Sequence, residues 1–226
     1  MPRRLLIVLK SGGLNRTNSM MESSGKEKLT LVLLGRSGCG KGTQAKRVVE
    51  RFGAGAYYMG TGALLRALIE RGSSDNATLE IGRRIMNKGG LFPSWFAVYT
   101  WLRELIEYGH GSEHLVFDGA PRRLWEAKLL DEVMAWHERP LPVCIFVDVS
   151  SREASRRLLR RGRADDTPDA IKNRMAYFSR DVLPVIRYYR KHTRLIRVNG
   201  AVPPEEVWRR IDAALGKRFR NQWPVQ

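Results

Sequence analysis

The sequence predicts an α/β protein built on a parallel β-sheet with helices on both faces. Three observations carry that prediction. The apolar run Leu29 to Leu34 passes through a glycine-rich stretch directly into a segment with apolar residues at helical spacing. Farther along, strand-sized apolar runs alternate with helical patterns, the order expected of parallel strands joined by crossover helices. With 226 residues, the chain is long enough for one domain with small insertions and a sizeable core.

The first strand rests on Leu29, Leu31, Val32, Leu33 and Leu34, and the first helix on Ala45, Val48, Val49 and Phe52. Between them lies Gly35-Arg36-Ser37-Gly38-Cys39-Gly40-Lys41-Gly42-Thr43-Gln44. Glycines ahead of one lysine let the backbone turn its N–H groups inward, and the helix that follows adds the positive end of its dipole at the same point. This is the composition of a phosphate cradle, with Lys41 as the mobile full charge for the outer phosphates of a nucleotide. From about Gly60 to Phe92 the alternation lapses into two or three short helices, broken at Gly72-Ser73-Ser74 and Gly89-Gly90. An inserted helical flap of this kind, residues 60–92, suits a second substrate.

Further strands are expected at His114 to Asp118, Val143 to Asp148 and Leu195 to Val198. Helices are expected at about Arg123 to Trp136, Ser150 to Arg160, Pro168 to Lys191 and Pro204 to Arg218. Ser150 with Glu153 reads as a capping box, and Thr167 before Pro168 as an N-cap followed by proline at the first helical position. Ile171, Met175, Phe178 and Val182 mark one apolar face of a long helix, in which Pro184 predicts a kink.

The formal net charge of +17 comes from arginine more than lysine, in pairs such as Arg83-Arg84, Arg160-Arg161 and Arg209-Arg210. Guanidinium groups grip phosphate bidentately, so an enzyme joining two polyanions can use several of them. The remainder reads as solvated surface. A nucleic-acid partner is unsupported, because no stacking platform or recognisable module accompanies the charge. Cys39 and Cys144 are far apart and outside any paired metal-ligand spacing, which points away from a disulfide framework and towards a reducing cytoplasm. Cys39, inside the phosphate loop, is expected to have a favoured thiolate whose modification blocks nucleotide binding. No apolar run is long enough for a membrane span. Residues 1–28 are basic and nearly free of acid, a composition open to disorder, to an over-long start upstream of Met20 or Met21, or to an organelle-type leader.

The tetrad Gly40-Lys41-Gly42-Thr43, followed by Gln44, resembles the adenylate kinases and related nucleoside monophosphate kinases. The resemblance continues in Asp118-Gly119-Ala120-Pro121-Arg122, where the family has phenylalanine at the place of Ala120, and in Gly60-Thr61-Gly62-Ala63-Leu64-Leu65-Arg66, where a family aspartate is replaced by Ala63. It extends to Arg161-Gly162-Arg163, Asp165-Asp166 and Arg174, the pattern of short-lid members, with Arg157 a fainter match. From about Leu29 to the last helix it covers nearly the whole chain, residues 29–226.

What the resemblance implies is a P-loop three-layer sandwich with a five-stranded parallel sheet, an NMP-binding helical insertion and a short lid at 161–167. It implies MgATP as donor, held by Gly35, Ser37, Gly38, Cys39, Gly40, Lys41, Gly42 and Thr43, with Asp118 orienting the water shell of Mg2+. Thr61, Arg66 and Arg122 are expected on the acceptor, and Lys41, Arg122, Arg161, Arg163 and Arg174 around the transferring phosphoryl group, with Asp165 and Asp166 holding the lid arginines. The lid segment is too short to carry zinc. Glu126 stands where the family has a glutamine that reads adenine. A carboxylate only accepts hydrogen bonds, so it suits the paired donors of guanine better than adenine N1, provided it faces the base rather than solvent. The expected activity is phosphoryl transfer from MgATP to a nucleoside monophosphate, AMP or, through Glu126, GMP or a broader range, by a monomeric enzyme. The competing expectation is a nucleotide-binding protein of the same fold with weak transfer and an anionic partner such as nucleic acid.

Overall fold

The structure, a computed structural model, describes residues 28–224 apart from 74, 110 and 221. The expectations for the leader therefore lie outside the described residues, Lys28 excepted. The described chain forms a five-stranded parallel sheet in the order β2-β3-β1-β4-β5, comprising β1 (Thr30–Leu34), β2 (Ala56–Gly60), β3 (His114–Asp118), β4 (Val143–Asp148) and β5 (Leu195–Asn199). The helices are α1 (Lys41–Phe52), α2 (Thr61–Arg71), α3 (Ala77–Asn87), α4 (Ser94–Tyr108), α5 (Leu124–Trp136), α6 (Ser151–Arg161), α7 (Pro168–Tyr177), α8 (Leu183–Lys191) and α9 (Pro204–Arg218).

Every residue of β1 is buried, because helices cover both faces of the sheet and leave no side for polar alternation. Val32 and Leu34 face a core formed with Val98 and Trp101 of α4, Leu130 and Met134 of α5, and Val185 and Tyr189 of α8. Leu31 and Leu33 face the other core, with Ala45 and Val48 of α1 and Ile211 and Leu215 of α9. With β1 flanked by β3 and β4, the chain leaves the sheet in opposite directions at its carboxyl end. Ligands of open parallel sheets gather at that point. A separate small core of Leu65, Ile69, Leu79, Phe92 and Phe96 consolidates α2 and α3 beside it.

Three local expectations change. β2 is absent from the strands expected at named residues, yet it pairs with β3 along its whole length from Ala56 opposite His114 to Gly60 opposite Asp118. It is an edge strand with only Met59 and Gly60 buried, so it lacks the apolar signature of an inner strand. The segment from Pro168 to Lys191 is helical without a break, as expected, but its irregularity is a π turn rather than a kink set by Pro184. A π-helical turn, Phe178–Val182, separates α7 from α8, and Pro184, lacking an N–H, sits in the first turn of α8 where none is needed. Only half of the predicted capping box forms: Ser150 Oγ accepts from Glu153 N at 3.2 Å, while the Glu153 carboxylate turns to Arg156 and Arg157.

Candidate active site

The loop after β1 and the start of α1 wrap a cavity of about 700 Å³ at the carboxyl end of the sheet. The loop curls because its glycines occupy backbone space closed to other residues. Gly38 has φ +86°, and a Cβ there would stand 2.5 Å from the carbonyl oxygen of Ala154. Gly40, at φ 91°, is the N-cap of α1 and has no side chain to cap it. The N-terminal amides of α1 are thus left for a ligand.

Ser37, Gly38, Gly40, Lys41, Gly42 and Thr43 line one wall of the cavity, and Arg66, Asp118, Arg122, Arg161, Arg163 and Arg174 line the others. Gly35, Cys39, Thr61 and Glu126 do not line it. Gly119, at φ +79°, brings the two sides together, since a Cβ there would lie 3.2 Å from Arg122 Nη2 and 3.6 Å from Lys41 Cε. Lys41 and Arg122 are therefore neighbours across Gly119.

Arg161 and Arg174 are fixed by carboxylates. Asp166 takes Arg161 at 2.8 and 2.7 Å and Arg174 at 2.5 Å, while Asp165 takes the second arm of Arg174. Burial raises the Asp166 pKa, but the Arg161 and Arg174 hydrogen bonds overcome it and keep the carboxyl below its ordinary range. Lys41, Arg66, Arg122 and Arg163 form no ion pair among the described residues. Partial burial and the neighbouring Arg161 and Arg66 push the Arg163 pKa down. The cations of the cavity outnumber Asp118 and Asp165, the carboxylates that line it, and such crowding raises the energy of the free protein, which a polyanion relieves.

Asp118 Oδ2 accepts the Tyr58 phenol at 2.8 Å, whereas its buried Oδ1 has no partner among the described residues. An orphaned carboxylate oxygen beside the phosphate cradle fits the hydration shell of a Mg2+ ion carried on nucleotide phosphates. A second cleft adjoins the first, lined by Gly40, Thr43, Gln44, Arg157 and Arg160 with the Gly200–Pro204 loop opposite.

A family model described as Adenylate kinase matches residues 33–194. The chain belongs to the adenylate kinase family. It is 34% identical over 190 residues to the adenylate kinase of Thermus thermophilus, covering 82% of this chain and 96% of that one. To the adenylate kinase of Prochlorococcus marinus it is 33% identical over 185 residues, covering 82% and 97%, and to that of Phenylobacterium zucineum 34% identical over 194 residues, covering 83% and 97%. As a member of the adenylate kinase family the protein is a nucleoside monophosphate kinase.

Within this adenylate kinase fold two expectations fail. The Cys39 thiol is 2% exposed and packs against the place a Gly35 Cβ would occupy; the residue borders the second cleft but not the main cavity, and burial pushes its pKa up against the pull of Lys41. It is a core thiol, not an activated one. Glu126 faces neither solvent nor an open base site. It is 2% exposed, with Oε1 accepting from Ser94 Oγ at 2.8 Å and Oε2 from the backbone N–H of Arg122 at 2.7 Å and Arg123 at 3.3 Å. Its carboxylate sits at the N-terminus of α5, where helix amides and the dipole favour it. Sequence reasoning missed Tyr58, Tyr177 and the Gly200–Pro204 loop, all of which line these clefts. No motif marks them; Tyr57-Tyr58 ahead of Gly60 was the one available signal, a phenol at the end of an edge strand.

Proposed function

We propose that the chain transfers the terminal phosphoryl group of ATP to AMP, giving two molecules of ADP. The observation that carries this reading is the set of cations without carboxylate partners, Lys41, Arg66, Arg122 and Arg163, spread across both walls of one cavity. One polyanion would engage one wall; two, meeting end to end, engage both.

In this reading the loop amides and Lys41 bind the donor phosphates, and the Gly200–Pro204 cleft takes the donor nucleoside. Arg66 and Arg122 hold the acceptor phosphate, while Thr61, buried in the same helix as Arg66 with no partner for Oγ1 among the described residues, stays behind the cavity wall. An acceptor phosphate oxygen attacks the γ-phosphorus as the bond to the β–γ bridging oxygen breaks. The chain supplies no nucleophile; Arg161, Arg163 and Arg174 spread the charge that moves. Asp118, through Oδ1, would hold the hydration shell of a nucleotide-bound Mg2+, which would neutralise phosphate charge. The flap at 60–92 and the lid at 161–167 close to exclude water. AMP is the acceptor proposed because both Glu126 oxygens already have protein donors, leaving no free carboxylate to select guanine. The two buried free thiols suit a reducing cytoplasm.

The test is product formation from MgATP with AMP, GMP, CMP and UMP, using Lys41→Ala and Arg122→Ala as controls. ADP from AMP, with kcat/KM for AMP at least about tenfold above GMP, supports the reading. No diphosphate above the controls overturns it in favour of a nucleotide-binding protein with weak transfer.

A further inference from the structure

We propose that Tyr177 is a positioning residue of the transfer site, tying the donor loop at Ser37 to the acceptor-side Arg122. The inference rests on the phosphoryl-transfer reading above. Tyr177 is the last residue of α7 and is 7% exposed, yet its phenol reaches the main cavity. The phenol oxygen lies 3.2 Å from Ser37 Oγ and 3.3 Å from Arg122 Nη1, and the Arg122 guanidinium stands 5.8 Å from the ring centroid.

The next residue extends the contact: Phe178 lies under the Arg36 guanidinium at 4.2 Å. Two successive helical residues therefore grip two successive residues of the donor loop, at the point where the helix widens into its π turn. Such turns often mark functional sites, where they re-aim side chains that a regular helix would place elsewhere. Arg122 is fixed at a second point, since its Nε donates to the Gly119 carbonyl at 2.6 Å. Without the phenol, nothing among its described hydrogen bonds ties the outer arm of Arg122 to the donor loop.

Proton counting shows what the arrangement offers a substrate. Arg122 can only donate, so the Tyr177 oxygen accepts from it. One hydroxyl of the Ser37–Tyr177 pair then donates to the other, and the second hydroxyl proton remains for an anion in the cavity. Burial raises the phenol pKa, but Arg122, the Ser37 bond, Lys41 and Arg174 bring it below its ordinary value and make the O–H a stronger donor.

The experiment compares wild type with Tyr177→Phe, which keeps the packed ring and removes the oxygen. The single-turnover rate with MgATP and AMP should fall about ten- to hundredfold, while KM for each substrate changes less than about threefold and the melting temperature is retained. Ser37→Ala should reproduce much of the rate loss, and the double variant should lose no more than the worse single one. A rate equal to wild type overturns the inference, as do raised KM values at unchanged rate or fully additive losses. If Tyr177→Phe does not fold, Ser37→Ala decides: a wild-type rate overturns the proposal and a matching loss supports it. Absence of transfer by the wild type overturns the proposed function and this inference with it.

Discussion

Gly42 faces the carboxylate of Asp118: a Cβ on the glycine would stand 3.0 Å from Oδ2. The position directly after the lysine is thus empty because a carboxylate occupies the space a side chain would need. Gly42→Ala should therefore push Asp118 away from the Tyr58 phenol and from the Mg2+ hydration shell proposed for it. We expect kcat to fall about ten- to hundredfold, with more Mg2+ needed for half-maximal rate, at a melting temperature close to wild type. A Mg2+ titration of both proteins checks it, and coincident curves would refute the steric argument.

Gly60 is bare for a related reason. A Cβ there would stand 2.7 Å from Tyr58 Cε1, because the ring crosses the glycine on its way to Asp118. Gly60→Ser should swing the ring out and break the 2.8 Å bond to Asp118. Combined with Tyr58→Ala the clash disappears, so the double variant should be more stable than the sum of the single losses by about 1 kcal/mol. Urea unfolding of the four proteins measures that coupling, and strict additivity would contradict the geometry.

The inner strands and the phosphate loop were legible because their signals are local. β1, β3 and β4 are continuous apolar runs, and the spacing of glycines around Lys41 imposes its own backbone path. β2 was not, since an edge strand ending at Gly60 needs little apolar surface and is set by its pairing with β3. Side-chain direction was the other blind spot. The identity of Glu126 suggested a base reader, but its direction is decided by Ser94, 32 residues away, and by amides at the start of α5. Tyr177 shows the converse: no motif marks it, and only the fold brings Ser37 to it across 140 residues.

Asp166 ties the end of α6 to α7. Its carboxylate, 1% exposed, holds Arg161 and Arg174 together. Asp166→Asn should leave the two guanidinium groups repelling one another and reduce kcat/KM by about a hundredfold, with a stability loss of about 3 kcal/mol. Steady-state kinetics and chemical unfolding report the two effects; unchanged kinetics would show that the lid arginines are placed by other contacts.

Cys39 should be inert. Its thiol is buried and its pKa raised, so thiolate is scarce at neutral pH despite the neighbouring Lys41. A thiol reagent at pH 8 should leave activity intact over a time in which an exposed cysteine reacts fully, with or without ATP. Both thiols, Cys39 and Cys144, should titrate once the protein is unfolded. Rapid inactivation prevented by ATP would restore the reactive-thiol expectation.

His114 makes stability depend on pH. Its Nδ1 accepts the Leu29 N–H at 3.0 Å and its ring stacks on Phe52 with centroids 4.0 Å apart, so the neutral imidazole is the form that fits. Burial, reinforced by Lys28 and Arg139, lowers its pKa to about 4. The unfolded chain, with an ordinary histidine pKa of about 6.5, binds the proton first. Stability from this site is therefore complete above the unfolded value and declines as pH falls towards the folded one. Discounted for partial exposure, the loss amounts to about 1–2 kcal/mol. His114→Asn keeps an acceptor near the Leu29 amide but cannot titrate. Urea unfolding at pH 7 and pH 4.5 should show a smaller decline for the variant than for the wild type, and equal declines would assign the pH dependence to other groups.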